Sequence, residues 1–180
     1  MIDARNYVAR DSLRNGTPVT IRAVRSGDRD RVARAFGNLE RDSVYTRFFT
    51  YKKALSDAEL ASIDAMDFVN DVMLIATVAR DADEIVIGSA RYIAQNAPDG
   101  NRAAEVAFTV EEDYQGKGLA GRLIGHLIGI ARQLGIARFE ADVLSGNKAM
   151  LAVFARSGLP MRQRREGGVV HITLALAGTL

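Results

Sequence analysis

Apolar residues recur along the chain at two spacings, one typical of strands and one typical of helices. Strand-like alternation or short apolar runs occupy residues 8–14, 17–24, 72–79, 85–93, 103–110, 137–144, 161–165 and 169–176. Helical spacing occupies residues 29–39, a segment that starts at residue 56, and residues 119–134 and 147–156. This order predicts a run of strands followed by a strand–helix–strand unit, so we expect both antiparallel and parallel pairing.

Turn signals between these segments indicate how they connect. Asn15-Gly16 predicts a two-residue hairpin turn between the first two strands, and Gly167-Gly168 predicts a terminal hairpin. Asp81-Ala82-Asp83 joins two apolar runs into an antiparallel pair, and Pro98-Asp99-Gly100 sets off the next strand. We therefore expect a sheet at least four strands wide once residues 103–110 have been added.

Length and composition are those of one ordinary globular domain. The 180 residues are 48% hydrophobic and 26% charged, which suffices for a substantial core. We expect a single domain over residues 1–180 that includes the N-terminal hairpin, residues 8–24. Lysine and arginine number 24 against 22 acidic residues, and this near balance does not indicate a nucleic-acid partner.

The residue types that are scarce or absent narrow the chemistry. The sequence contains no cysteine, which excludes a disulfide framework, a thiolate zinc site and a cysteine nucleophile. His126 and His171 are too few for a histidine metal cluster, so we expect no metal. The N-terminal residues have no apolar core of signal-peptide length, and no run reaches the ~18 apolar residues of a membrane span. We therefore expect a cytoplasmic protein without a membrane partner.

A glycine-rich loop between a strand and a helix carries the strongest chemical signal. Residues 116–121, GKGLAG, satisfy the G-x-G-x-x-G pattern of a dinucleotide-binding turn. The context opposes that interpretation, because several antiparallel strands precede the loop and the next acids lie inside the following strand. Gly116-Lys117-Gly118 also lacks the hydroxyl residue with which a P-loop holds magnesium. Because glycines let backbone N–H groups approach an anion and the helix adds its positive end, a diphosphate is the expected guest.

The loop and its flanks resemble a known family. Tyr114-Gln115-Gly116-Lys117-Gly118-Leu119-Ala120 resembles the Q/R-x-x-G-x-G/A cofactor loop of the GNAT N-acetyltransferases, and Asn147 resembles the asparagine of their second cofactor motif. The stretches LRNGTPVTIRAVRSGDRD, DSVYTRFF and AEVAF resemble the acetyltransferase domain of bacterial protein lysine acetyltransferases that modify acyl-CoA synthetases. The resemblance covers most of the chain.

The resemblance implies the GNAT fold and an acetyl-CoA site. The fold class is α/β (α+β), with a central mixed, mostly antiparallel twisted sheet of about seven strands flanked by about four helices. Backbone amides of the loop would bind the pyrophosphate, the preceding strand end would hydrogen-bond the pantetheine arm, and the asparagine would contact the cofactor. The residues assigned in this way are Gln115, Gly116, Lys117, Gly118, Leu119 and Ala120, then Phe108, Thr109 and Val110, and finally Asn147.

Glu105 is the candidate catalytic base. A lysine ammonium with a pKa near ~10.4 costs ~4.6 kcal/mol to deprotonate at pH 7, so amine acetylation benefits from a positioned base. Glu105 shares a strand face with Ala103, Ala107 and Thr109, whose small side chains leave room for a substrate. The lysine acetyltransferases resemble this chain in carrying their base there. The alternative is an exposed glutamate on a polar sheet face.

The expected mechanism leaves one role unfilled. Glu105, directly or through water, would take a proton from the amine that attacks the thioester carbonyl, and a backbone N–H near Phe108 would stabilise the oxyanion. Many family members protonate the leaving thiolate with a tyrosine seven residues after the motif asparagine, but this position is Phe154 here. The general acid is therefore unassigned, which an alkyl thiol with a pKa of ~8.5 tolerates near neutral pH.

Three functions follow from these residues. The first is an acetyl-CoA-dependent N-acetyltransferase acting on a lysine side chain of a partner protein, such as an acyl-CoA synthetase. The second keeps the chemistry but takes a small amine as acceptor. The third is a catalytically silent acyl-CoA-binding regulatory module, which Glu105 disfavours and Phe154 keeps open. The sequence does not indicate an oligomeric state.

Features outside this chemistry receive structural interpretations. The acidic run at residues 111–113 is interpreted as solvated surface, and His126 as a packed or partly exposed histidine. Gly121, Gly125 and Gly129 form a ladder along the long helix, which predicts close packing of another element against it. Residues 47–49, RFF, are interpreted as a packing anchor near the acceptor groove.

Overall fold

The structure is a computed structural model that describes residues 2–40 and 54–178. The strands are β1 (Val8–Ser12), β2 (Pro18–Ala23), β3 (Asp71–Arg80), β4 (Asp83–Asn96), β5 (Arg102–Val110), β6 (Arg138–Leu144), β7 (Met161–Glu166) and β8 (Val169–Ala175). The helices of the described ranges are α1 (Arg29–Gly37), α2 (Asp57–Asp64), α3 (Leu119–Gln133) and α4 (Lys148–Ala155). Short 3-10 turns at Ala4–Asn6, Ser26–Asp28 and Glu112–Tyr114 precede β1, α1 and the glycine loop.

The eight described strands form one mixed sheet in the order β1-β2-β3-β4-β5-β6-β8-β7. Strands β1 to β5 pair antiparallel, β5 pairs parallel with β6, and β8 pairs antiparallel with both β6 and β7. The predicted crossover is confirmed, since α3 connects the two parallel strands. The fold class is also confirmed, with one strand more than the approximate number expected.

Helix α3 forms much of the core on one face of the sheet. It packs against β3, β4 and β5, whereas α1 packs against β4. Apolar residues at a spacing of three and four give α3 one buried side. Its buried residues are Leu119, Leu123, Ile124, Leu127, Ile128, Ile130 and Ala131. The helix ends before Gly135, which takes a positive φ of 75° and closes the last turn as predicted.

The N-terminal hairpin is present, but its turn is wider than the two-residue turn predicted. Strands β1 and β2 pair as far as Ser12 and Pro18, which leaves a five-residue loop. Gly16 alone of the Asn-Gly pair has a positive φ, 83°, whereas a type I′ turn needs positive φ at both residues. Asn15 instead accepts the N–H of Thr17 with its side-chain oxygen, at 3.1 Å. The prediction of the turn type was therefore wrong, although the hairpin itself is confirmed.

A buried ion cluster fixes the start of α1 on the sheet. Arg22 of β2, 4% exposed, donates to both carboxylate oxygens of Asp28 at 2.7 and 2.8 Å and to Glu84 at 2.7 and 3.0 Å. Asp28, 2% exposed, also accepts the N–H of Arg25 at 2.8 Å. Thr77 donates its hydroxyl to Glu84 at 2.7 Å. Because Asp28 immediately precedes α1, the cluster joins β2, β3 and β4 to that helix.

The glycine ladder on α3 has no close neighbour in the described ranges. A Cβ built on Gly121, Gly125 or Gly129 would meet no atom of the described residues within 4 Å. Within the described ranges, the prediction of close packing against this ladder is therefore wrong. The glycines line a shallow groove of about 420 Å³ beside Tyr7 and His126. The Tyr7 hydroxyl lies 2.6 Å from His126 Nδ1, so this histidine is packed as interpreted.

The described residues do not include the predicted packing anchor, but they do bear on the predicted absence of a membrane-spanning helix. The RFF stretch at residues 47–49 lies outside them. Within residues 2–40 and 54–178, no helix combines the length and the apolar character needed to cross a membrane.

Candidate cofactor and acceptor site

The parallel strands β5 and β6 separate within the sheet. They pair only where Ala103, Ala104 and Glu105 face residues 138–140, although β5 continues to Val110 and β6 to Leu144. Beyond Glu105, β5 stays paired with β4, and β6 stays paired with β8. The second halves of the two parallel strands therefore form the sides of a cleft, and the glycine loop follows the end of β5.

The glycine loop has the backbone geometry that anion binding requires. Gly116 and Gly118 have positive φ values of 70° and 86°, which non-glycine residues adopt only with strain. Gly118 is the N-cap of α3. The free N–H groups of the first helical turn therefore project from the N-terminus of the helix at the loop. Gln115 donates its side-chain amide to the carbonyl of Val110 at 3.1 Å, which closes the loop onto the end of β5.

A cavity of about 940 Å³ connects the glycine loop with the cleft and with α4. Nine of the ten predicted cofactor residues line it: Phe108, Thr109, Val110, Gln115, Gly116, Gly118, Leu119, Ala120 and Asn147. Lys117 does not line the cavity. Its ammonium group donates to the carbonyl of Asp113 and lies 5.3 Å from the centre of the Tyr114 ring. The structure thus brings the predicted residues to one place, with the Lys117 side chain turned elsewhere.

Asn147 combines a place in the cavity with a structural role. Its side-chain oxygen accepts the N–H of Met150 at 3.1 Å and so caps α4. The cap leaves the NH2 group of the amide for a ligand. An asparagine at this position therefore orients α4 against the cavity whether or not a ligand is bound.

The cavity is lined by cationic side chains that sequence reasoning missed. Arg14 of the β1–β2 loop, Arg122 of α3, and Lys148 and Arg156 at the two ends of α4 all line it. No aspartate or glutamate is among the described lining residues. A lining with positive charge and glycine amides suits a ligand with several phosphate groups. No local sequence signal marks these four residues, because the folded chain brings them together from three separate segments.

A second cavity lies on the sheet beneath α1 and α2. Its volume is about 330 Å³, and its lining is mainly apolar, with side chains from both helices and from β4 and β5. Thr109 lines this cavity and also the cavity beside the glycine loop, so the two adjoin at β5. A donor and an acceptor could therefore approach the same strand from two sides.

Glu111 lies in the lining of the second cavity and is half-buried. Burial raises the pKa of its carboxyl group, and the neighbouring Asp113 and Glu112 raise it further. The interpretation of this residue as solvated surface was wrong, because Glu111 is partly buried and lines a cavity together with residues of α1 and α2. Glu111 and Glu59 are thus the two described carboxylates that line this acceptor-sized space.

Glu105 stands on the surface of β5 outside both cavities. It is exposed, and it shares its face of the strand with Ala107 and Thr109, which line the second cavity. Its cross-strand neighbour on β4 is Ile93, and its neighbour on β6 is Glu140. The last pair shared by β5 and β6 is thus the pair that contains Glu105, so this carboxylate lies where the cleft begins. Its role as base stays a prediction.

Phe154 is fully buried and packs against β5. Its ring meets the ring of Phe108 edge to face, with centroids 5.9 Å apart. This position therefore contributes packing next to the strand that was predicted to hold the pantetheine arm. The structure assigns no general acid to it.

Gly88 on β4 lies in close contact with β5 and α3, and we expect Gly88→Ala to destabilise the protein by about 1–3 kcal/mol. A Cβ at this position would lie 2.9 Å from the Thr109 carbonyl oxygen and 3.0 Å from Leu119 Cδ2, so the backbone of β5 must shift and the Leu119 side chain must adjust. Urea denaturation measures the loss. Gly129→Ala is the matched control, because its Cβ meets no described atom and helix propensity predicts a gain of ~1 kcal/mol. Equal effects of both changes would contradict this account of Gly88.

Comparison with known proteins agrees with this architecture. The sequence model of the acetyltransferase (GNAT) family matches residues 40–159. The acetyltransferase Pat of Mycolicibacterium smegmatis is 34% identical over 160 residues, which is 88% of this chain. An acetyltransferase of Pseudomonas aeruginosa is 32% identical over 140 residues, which is 78% of this chain and 74% of that protein. The crystal structure of the GNAT domain of S. lividans PAT superposes with a TM-score of 0.83 at 33% identity. The alignment covers 93% of this chain and 96% of the S. lividans chain.

The chain therefore belongs to the GNAT acetyltransferase family, as the glycine loop and Asn147 indicated. The chain is therefore an acyltransferase, and the cosubstrate of this family is acetyl-CoA. The chain spans 46% of the length of the Mycolicibacterium relative. In the part of the chain that the structure describes, no three or more histidine, cysteine, aspartate or glutamate residues form a group that could hold a metal ion.

Proposed function

We propose that this protein transfers the acetyl group of acetyl-CoA to the side-chain amine of a lysine in a partner protein. The observation that carries the proposal is the junction at Thr109, where a cationic, glycine-lined cavity adjoins a second cavity on the same strand. One cavity has the charge and shape for a phosphate-bearing donor. The other offers an apolar space in which the aliphatic part of an acceptor can lie.

The residues of the first cavity fit acetyl-CoA. Coenzyme A carries a pyrophosphate and a 3′-phosphate, and the lining supplies four cationic side chains and no described carboxylate. The cleft beside Phe108 and Val110 leaves backbone groups of β5 that do not pair with β6 and that suit the amides of the pantetheine arm. Acetyl-CoA supplies the acetyl group as an activated thioester.

Each role in the transfer falls to a residue near the start of the cleft. Glu105 accepts the proton of the amine, directly or through one water molecule, so that the nitrogen lone pair is free to attack. A backbone N–H near Phe108 donates to the carbonyl oxygen as negative charge develops on it. The fixed positions of the two cavities hold amine and thioester together, which lowers the entropic part of the barrier.

The surface around Glu105 favours a protein as acceptor. Ile93, directly across the strand, is 52% exposed. Val69 is 44% exposed and precedes Asn70, whose carbonyl accepts the N–H of Ala94 at 2.6 Å. Exposed apolar side chains beside a carboxylate suit a partner surface that presents a lysine better than they suit an enclosed small amine. The resemblance to lysine acetyltransferases of acyl-CoA synthetases supports the same choice, and such a substrate places the reaction in the cytoplasm.

The proposal is tested with purified protein, acetyl-CoA and two sets of acceptors, a group of acyl-CoA synthetases and a panel of small amines. Free CoA and acetyl-lysine, the latter by mass spectrometry, are the measured products. We expect acetylation at one lysine of a synthetase, and its absence when Glu105→Gln replaces the wild type. Turnover with small amines but not with the synthetases would contradict the proposed protein acceptor and indicate a small-amine acetyltransferase. Tight acetyl-CoA binding without turnover on either set would instead favour a silent binding module.

A further inference from the structure

The β1–β2 loop is docked on the cofactor loop. Arg14 donates its backbone N–H to the carbonyl of Lys117 at 3.0 Å, so the tip of the hairpin is tied to the middle of the glycine motif. The start of the hairpin also contacts α3 further along, where the hydroxyl of Tyr7, just before β1, lies 2.6 Å from His126 Nδ1, and Asp11 of β1 lies 3.6 Å from Arg122. The hairpin therefore has a fixed position beside the cavity.

The side chain of Arg14 lies across Gly118 at the start of α3. A Cβ built on Gly118 would lie 3.2 Å from Arg14 Nε and 3.3 Å from Arg14 Cγ. Arg14 lines this cavity, and its side chain makes no hydrogen bond or ion pair with the described residues. An arginine presents five N–H donors in a planar fork that matches phosphate oxygens. Its position at the N-cap of α3 adds these donors to the free N–H groups of the first helical turn.

We infer that Arg14 binds the pyrophosphate of coenzyme A, so that the N-terminal hairpin forms one wall of the cofactor site. This inference rests on the proposed function, because it takes acetyl-CoA as the ligand of the cavity. The glycine loop supplies backbone amides from one side of the phosphates, and Arg14 supplies charge from the other.

Among the four cationic residues, Arg14 has the position that fits the pyrophosphate. Arg122 already has Asp11 as an ionic neighbour at 3.6 Å. Lys148 and Arg156 lie at the two ends of α4, across the cavity from the glycine loop. Arg14 alone packs on a glycine of the motif itself, and its charge is not neutralised by a described carboxylate.

The test is isothermal titration calorimetry of the whole chain with three ligands, namely CoA, 3′-dephospho-CoA and pantetheine. The proteins are the wild type, Arg14→Ala, Arg14→Lys and the matched control Arg10→Ala, which removes an exposed arginine of the same hairpin outside the cavity. We expect Arg14→Ala to weaken binding of CoA and of 3′-dephospho-CoA alike, by roughly 10- to 100-fold. Binding of pantetheine, which lacks phosphate, should be unchanged, and Arg14→Lys should restore part of the affinity because it keeps the charge without the fork.

The outcomes separate the possible failures. Unchanged CoA affinity in Arg14→Ala, with normal binding by the wild type, would overturn the role of Arg14 and leave the proposed function intact. A loss seen with CoA but not with 3′-dephospho-CoA would overturn the pyrophosphate assignment, because the contact would then be to the 3′-phosphate. A wild type that binds no CoA would overturn the proposed cofactor together with the inference. Equal melting temperatures of the wild type and Arg14→Ala establish that a loss of affinity is not a loss of folded protein.

Discussion

Glu105→Gln lowers the turnover number by roughly 100- to 10,000-fold while acetyl-CoA affinity stays at the wild-type value, if Glu105 is the base. Glutamine keeps the size and the hydrogen-bonding oxygen of the side chain but does not accept a proton at neutral pH. The acceptor ammonium must then lose its proton to water, against a pKa near ~10.4. Stopped assays of CoA release at several pH values measure the loss, and calorimetry measures acetyl-CoA binding. The deficit should shrink at high pH, where more of the amine is already neutral.

Glu111 and Glu140 provide the controls for this experiment. Glu111 lines the second cavity with a raised carboxyl pKa, so Glu111→Gln tests the rival candidate for the base. Glu140 is the neighbour of Glu105 across the parallel pair and accepts from Arg138 at 2.8 Å, so Glu140→Gln tests a general loss of charge near the site. A large loss of turnover in Glu111→Gln, with little change in Glu105→Gln, would transfer the role of base to Glu111.

Arg22→Met destabilises the protein by about 3–5 kcal/mol, which is the larger of the two expected effects on stability. The change removes the only described cation in contact with Asp28 closer than 3 Å and leaves that carboxylate buried. Urea denaturation gives the free energy of unfolding. Arg29→Met is the matched control, because the Arg29–Asp64 pair is exposed and should contribute less than ~1 kcal/mol. Similar losses in the two variants would contradict a special role for the buried cluster.

The pH dependence of stability distinguishes the ion cluster from simple packing. Burial alone would raise the pKa of Asp28, but hydrogen bonds from Arg22 and from the Arg25 N–H lower it, and the hydrogen bond from Arg22 lowers the pKa of Glu84. Both groups have folded pKa values below their unfolded values, so their stabilisation is present above pH ~4 and is lost as the pH falls through the folded values. The difference between wild type and Arg22→Met should therefore be largest near neutral pH and shrink below pH ~4. A constant difference over that range would indicate packing alone.

Local signals in the sequence were sufficient to predict the glycine loop between β5 and α3. Gly118 and its neighbours combine a conformational requirement with a position between a strand and a helix, and both are visible in a short window. Asn147 likewise carries its own signal, since an asparagine before an apolar helical segment is a typical N-cap. The strand pairs and the crossover followed from the period of the apolar residues and from the turns between them.

The remaining parts of the site depend on contacts between distant segments. Arg14 reaches the cavity because the hairpin folds over a loop from another part of the chain, and nothing near Arg14 in the sequence indicates this. Arg22 and Glu84 are 62 positions apart, so their pairing in a buried cluster was equally hidden. Glu111 was misinterpreted because the cavity that it lines is completed by residues of α1 and α2, which are remote in sequence. The turn at Asn15 was misassigned because the Asn-Gly pair is compatible with more than one hairpin geometry.

Because the first hairpin is docked on α3, cofactor binding should affect how readily β1 opens locally. Tyr7 and His126 are 119 positions apart, and contacts of such long range form only after the intervening chain has closed. Strand β1 lies at the edge of the sheet, and edge elements open with less free energy than central ones. A ligand that is held from both sides binds only the closed form, so acetyl-CoA should slow hydrogen exchange at the amides of β1 as strongly as at the glycine loop. Bound cofactor would thus hold the N-terminal hairpin against the glycine loop and the start of α3.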